Sequence, residues 1–177
     1  MVFSTIEQAK EFGRKAHGSQ VRKYTGLPYY THTEEVADIV KAHGGTKEEI
    51  QAALLHDVIE DTDTTFEDVR QAFGDVVALL VWQLTDVSVP SDGNRAVRKR
   101  LDREHTGRGS ASAQFVKLAD LISNSTSIAE HDPSFAKVYF AEKAATLELL
   151  SKVKDTDLFE KASSVVKEYY EGTSRTL

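Results

Sequence analysis

Ala52-Ala53-Leu54-Leu55-His56-Asp57-Val58-Ile59-Glu60-Asp61 reads as an apolar helix that carries a His-Asp pair and two more carboxylates. The four ionisable groups fall within about one and a half helical turns. Burying that much charge beside a hydrophobic face is costly unless something compensates, and a bound cation is the simplest compensation. Thr46-Lys47-Glu48-Glu49 supplies the capping box that opens this helix, and Gly44-Gly45 stops the one before it, expected from about Thr33 to His43.

Working outward, apolar residues recur at helical spacing almost throughout, and no long stretch alternates as a strand does. The expected fold is all-α, a compact multi-helix bundle. Ser4-Thr5-Ile6-Glu7 predicts a first helix facing inward through Ile6, Ala9, Phe12 and Ala16 and ending at Gly18. Residues 18–31, with Gly26, Pro28 and Tyr24, Tyr29 and Tyr30, read as an ordered loop. Thr65 with Asp68 starts a short helix closed by Gly74, and Val76 to Leu84 is apolar enough for a central core helix. Residues 87–112 predict a mobile loop around a short helix. The helical period returns from about Ala111 to Ala129, Asp132-Pro133 opens another helix, and a last one from about Asp157 to Glu171 packs through Leu158, Ala162, Val165 and Tyr169. A single domain is expected, its core at about 4–153 and its C-terminal packing helix at about 157–171.

Composition narrows the chemistry. With no Cys, disulfides, thiolate zinc sites and cysteine nucleophiles are excluded together, so a metal must be held by nitrogen and oxygen. The net charge of -6 argues against general nucleic-acid binding. No apolar run approaches the roughly 20 residues of a membrane span, and the N-terminus lacks a signal-peptide pattern, which points to a cytoplasmic protein with no membrane partner.

Two further residues complete a metal-ligand set. His32 follows the Tyr-rich loop, and Asp120 sits in Phe115-Val116-Lys117-Leu118-Ala119-Asp120-Leu121-Ile122-Ser123-Asn124, so His32, His56, Asp57 and Asp120 form a two-His, two-Asp group. Mixed imidazole and carboxylate donors suit Mn²⁺, Fe²⁺ or Zn²⁺, with Mn²⁺ the preferred choice. Such a cation polarises a phosphoryl oxygen and acidifies water, which leads to phosphate-ester hydrolysis with Glu60 and Asp61 orienting the water or relaying its proton. Lys117, Asp120 and Asn124 share one helical stripe, the wall of a pocket. Arg22, Lys23 and Tyr24 mix cations with a ring, a pattern that suits phosphates and a stacked base. Arg95, Arg98, Lys99, Arg100 and Arg103 read instead as a solvated helix face.

These segments together resemble the HD-domain metal-dependent phosphohydrolases, and more closely the hydrolase domain of the Rel/Spo alarmone family. The matching pieces are Arg22-Lys23-Tyr24-Thr25-Gly26 with His32, the stretch from Ala53 to Thr62, Phe73-Gly74, Leu84-Thr85-Asp86, and Lys117-Leu118-Ala119-Asp120 with Asn124. At this length the chain is similar to the stand-alone small alarmone hydrolases. The resemblance implies an HD-domain bundle binding one Mn²⁺ through His32, His56, Asp57 and Asp120. It also implies hydrolysis of guanosine 3′,5′-bis(diphosphate), or its 5′-triphosphate analogue, at the 3′ position, releasing pyrophosphate and GDP or GTP. Glu60 and Asp61 match the water-activating acids, Arg22 and Lys23 the basic pair that touches ligand, and Asn124 a substrate contact. Thr33 stands where the family usually has proline, and Leu121 where longer relatives have arginine. The alternatives are an HD phosphohydrolase acting on NADPH or another nucleotide, a catalytically silent nucleotide-binding module, and a helical scaffold whose His and Asp residues serve only as caps.

Overall fold

The computed structural model describes residues 4–174. The chain runs through α1 (Ile6–His17), α2 (Tyr30–Ala42), α3 (Lys47–Leu55), the single turn α4 (Val58–Asp61), α5 (Phe66–Phe73) and α6 (Asp75–Leu84). It continues through α7 (Arg95–Arg108), α8 (Ala111–His131), α9 (Pro133–Leu149) and α10 (Asp157–Ser174). Among the described residues there is no strand, only an isolated antiparallel bridge between Val21 and Pro28, as the all-α reading expects. No described helix is long and apolar enough to cross a membrane.

Two helices form the centre. α3 buries every residue from Ile50 to Leu55 and packs on α1, α2 and α6. α8 buries Val116, Leu118, Ala119, Leu121 and Ile122 and packs on α2, α9 and α10. A helix apolar on nearly all sides belongs inside, and these two carry the ionisable residues with them. Gly13 lets α1 approach α3, since a Cβ there would lie 2.8 Å from the Leu54 carbonyl oxygen.

Local signals set most helix starts. Thr46 and Thr65 accept from the backbone N–H three residues on while Glu49 and Asp68 bond back, both as expected. At α1 the cap shifts by one residue. Thr5 pairs with Gln8, and Ser4 is buried, its hydroxyl accepting from Gln51 Nε2 at 3.0 Å.

Four expectations are corrected. α2 begins at Tyr30, before the expected Thr33, because Thr31 and His32 already donate to the carbonyls of Pro28 and Tyr29; His32 therefore lies in the first turn. The helix carrying His56 and Asp57 is broken at that pair. His56 Nδ1 bonds the Ala53 carbonyl at 2.8 Å, the acceptor a continuing helix would offer to the Asp57 N–H, and Asp57 adopts φ -101 and ψ -3. α6 is amphipathic rather than central: Val77, Leu80, Val81 and Leu84 are buried, while Val76, Leu79 and Trp82 are exposed. Residues 87–112 hold the 14-residue helix α7, capped by Asn94 and anchored by Asp102, whose carboxylate accepts from the backbone N–H groups of Val87 and Ser88.

Candidate metal centre

His32 projects from the first turn of α2, His56 and Asp57 from the break between α3 and α4, and Asp120 from the middle of α8. They meet in the interior. His32 Nε2 lies 3.3 Å from Asp120 Oδ1 and 3.8 Å from Asp57 Oδ2, and His56 Nε2 lies 3.1 Å from Asp57 Oδ2 and 3.7 Å from Asp120 Oδ1. The donor atoms of His32, His56 and Asp57 all fall within 4.8 Å of one another. Asp120 Oδ1 reaches both imidazoles at distances much like those of Asp57 Oδ2.

The residues fit a divalent cation. A carbonyl only accepts, so the bond to Ala53 fixes the proton of His56 on Nδ1 and points the Nε2 lone pair inward. That Nε2 is buried without a hydrogen-bond partner and faces two carboxylates, which are acceptors as well. Lone pair opposes lone pair unless a positive charge stands between them. Without a metal ion only a proton on Nε2 could supply that charge: burial opposes it, but Asp57 and Asp120 raise the His56 pKa well above the usual range. Burial likewise opposes ionised Asp57 and Asp120, but His56 for the first and Lys117 for the second keep both carboxyls low. The cluster demands a cation, and its oxygen and imidazole donors are those of a divalent metal site.

The surrounding groups fix the ligands in place. Tyr29 donates to Asp57 Oδ2 at 2.7 Å, and His32 Nδ1 pairs with Ser123 Oγ at 3.0 Å. Asp120 is held from both sides along its own helix, by Lys117 Nζ at 2.9 Å and by Asn124 Nδ2 at 2.7 Å. Such outer contacts orient a ligand and set its basicity. Burial first, then Asp57, raises the Tyr29 phenol, so it remains a donor.

Glu60 and Asp61 follow on α4. Glu60 Oε2 accepts from the Asp86 N–H at 3.1 Å, and desolvation with the Asp86 charge pushes its carboxyl up to about 7. Asp61 is raised by desolvation and by Asp57, and Gln20 Nε2 donates to its carbonyl at 2.7 Å.

Two cavities lie along α8 on either side of Asp120. Beside Asn124, Arg22, Lys23, Tyr24, Tyr29 and His32 line a space of about 150 Å³. Beside Lys117, a space of about 70 Å³ is lined by Lys99, Arg103, Lys143 and Asp86 among others. The first collects the loop residues read as phosphate and base contacts, though Arg22 is held by Glu35 at 3.0 Å and the Tyr24 hydroxyl by Asp132 at 2.9 Å. The second corrects part of the reading of α7 as a solvated face, since Lys99 pairs with Asp86 and the Nε of Arg98 and of Arg103 are buried, whereas Arg95 and Arg100 are exposed as expected. Thr33 and Leu121 line neither cavity and are buried, with Thr33 Oγ1 donating to the Tyr30 carbonyl at 3.0 Å.

The sequence assigns no individual role to Tyr29, Ser123, Gln20, Asp86 or Lys143, although Asp86 stands in one of the pieces that carry the resemblance. Ser123 carries a signal in hindsight, three residues beyond Asp120 on one helical stripe. The others meet the centre only through the fold.

A family model described as the HD domain matches residues 9–157. A guanosine-3′,5′-bis(diphosphate) 3′-pyrophosphohydrolase, MESH1, of Xenopus tropicalis is 36% identical over 166 residues, covering 92% of this chain and 83% of its own. The MESH1 of Homo sapiens is 36% identical over 174 residues, covering 96% and 87%. A solved structure described as a metazoan ortholog of SpoT that hydrolyses ppGpp superposes with a TM-score of 0.80 at 29% identity, over 92% of this chain and 94% of that one. The matched stretch runs from within α1 to the first residue of α10 and encloses the His and Asp cluster, and by that match the chain belongs to the HD-domain family.

Proposed function

We propose that this protein hydrolyses guanosine 3′,5′-bis(diphosphate), or its 5′-triphosphate analogue, at the 3′ position, yielding pyrophosphate and GDP or GTP. The observation that carries the reading is the order of groups along α8, with a cationic cavity at Lys117, a carboxylate of the cluster at Asp120, and a cavity of cations and rings at Asn124. The names borne by the two relatives and the solved structure support the same substrate. His32, His56, Asp57 and Asp120 would hold Mn²⁺, which suits mixed imidazole and carboxylate donors. When bound, such an ion polarises a phosphoryl oxygen and lowers the pKa of water.

The chain's own groups supply the rest. Arg22 and Lys23 steer the nucleotide's phosphates, the Tyr24 ring offers the base a face to stack on, and Lys117 and Asn124 fix Asp120 while lining the path of the substrate. Glu60, ionised above about pH 7, takes a proton from the attacking water, and Asp61 orients that water. The new bond joins the water oxygen to the phosphorus attached at the 3′ oxygen. The bond between that phosphorus and the 3′ oxygen breaks, and the 3′ oxygen leaves as an alcohol with the proton that Glu60 took from the water.

Labelled guanosine tetraphosphate incubated with Mn²⁺ tests this directly. Pyrophosphate release is expected to stop with chelator and to fall roughly a hundredfold or more in Asp57→Ala. Turnover retained in Asp57→Ala, or a preference for NADPH, would overturn the assignment.

A further inference from the structure

The cavity at the Lys117 end of α8 contains more positive charge than its carboxylates neutralise. Lys99 pairs with Asp86 and Asp102, Lys117 with Asp120, and Glu142 with Arg95. Lys143 and Arg103, which also line it, make no ion pair among the described residues. Arg103 Nε is buried without a hydrogen-bond partner, and Lys143 Nζ meets only the Tyr139 ring, 4.9 Å from its centroid. Desolvation, with Lys117 close by, pushes the half-buried Lys143 ammonium down to about 8 against the more distant pull of Asp120 and Asp86. Two cations this poorly compensated, brought together from α7 and α9 beside the ion-paired Lys117 of α8, make an arrangement that an anion would complete.

Size and position limit which anion. At about 70 Å³ the space equals roughly two waters, room for one tetrahedral oxyanion and too little for a nucleoside. It opens one helical turn from Asp120, on the side opposite the cavity at Asn124.

We propose that Lys143, with Arg103 and Lys117, forms the subsite for the distal phosphate of a 3′-diphosphate, so that this cavity selects diphosphate over monophosphate esters. The identity of the diphosphate rests on the hydrolytic reading above, whereas the anion site stands on the cavity alone. Lys143 takes no part in bond making; it positions the phosphate that leaves within pyrophosphate.

Calorimetric titration of inorganic pyrophosphate into metal-free wild type, Lys143→Met and Arg103→Gln reads the subsite without turnover. Each substitution is expected to weaken binding about tenfold, while the Lys143→Met melting temperature is unchanged or higher because an unpaired half-buried charge is gone. In turnover, kcat/KM for guanosine 3′,5′-bis(diphosphate) should fall about tenfold in Lys143→Met. That for guanosine 5′-diphosphate 3′-monophosphate, which lacks only the distal phosphate, should hold within about twofold. A wild type that binds no pyrophosphate, variants that bind it as tightly as wild type, or equal losses on both nucleotides would each overturn the subsite. If pyrophosphate binding behaves as expected but guanosine tetraphosphate is not cleaved, the hydrolytic reading fails and the anion site remains.

Discussion

Glu60 and Asp57 are three residues apart, yet their surroundings drive their carboxyls in opposite directions. Asp57 faces two imidazoles and stays ionised, whereas Glu60 is desolvated beside Asp86 and is held at about 7. A carboxylate poised near neutral pH is the form a general base requires. We therefore expect kcat/KM to rise with pH through about 7 as Glu60 loses its proton. Asp86→Asn removes the adjacent negative charge, makes the Glu60 anion easier to form, and should move that limb to lower pH; a limb that stays put assigns it to another group. Glu60→Gln should lower kcat roughly 10²- to 10⁴-fold with metal stoichiometry unchanged. The sign for stability is reversed. The folded pKa lies above the ordinary 4.5, so this group's contribution is fully present below about 4.5 and is lost as pH rises through about 7. Ionising Glu60 thus favours the reaction and disfavours the fold.

At the scale of elements, the ordering of α7 depends on one buried carboxylate. Asp102 is 4% exposed and accepts from the Val87 and Ser88 N–H groups at 3.1 and 2.9 Å and from Ser88 Oγ at 3.0 Å. Asp102→Ala strands those donors, which should cost about 2–4 kcal/mol and speed amide exchange at Val87 and Ser88 well beyond the global change. An unchanged melting temperature would remove Asp102 from that role. The same contact explains why residues 87–112 read as a loop: Gly, Pro and Ser are visible in the chain, but the anchor pairs groups far apart along it. Signals contained within four residues were legible, as at the Thr46 and Thr65 capping boxes. His56, Asp57 and Asp120 stood out because each interrupts an apolar helix. The α3–α4 break depends on the rotamer that carries the His56 ring back to Ala53, and Lys143 matters only because α9 crosses α7 and α8, so neither was readable.

For the whole molecule, the cluster is a clasp. His32, the His56-Asp57 pair and Asp120 sit on α2, on the α3–α4 break and on α8, which pack around one core but lie far apart in the unfolded chain. An ion held there binds the folded state and not the unfolded one, so its binding energy adds to folding stability. At a hundredfold excess over Kd that is about 2.7 kcal/mol. For a chain of 177 residues it corresponds to a rise in Tm of roughly 5–10 °C. Mn²⁺ should produce that rise, chelator should reverse it, and Asp120→Asn should abolish it while preserving the helical circular dichroism. Lys143→Met should keep the full increment, because it lines the neighbouring cavity without reaching the ligands. An equal increment in Asp120→Asn would show that the ion is held by His32, His56 and Asp57 alone, the three whose donor atoms already lie within 4.8 Å of one another. Asp120 would then serve to neutralise Lys117 and steady the imidazoles rather than to coordinate.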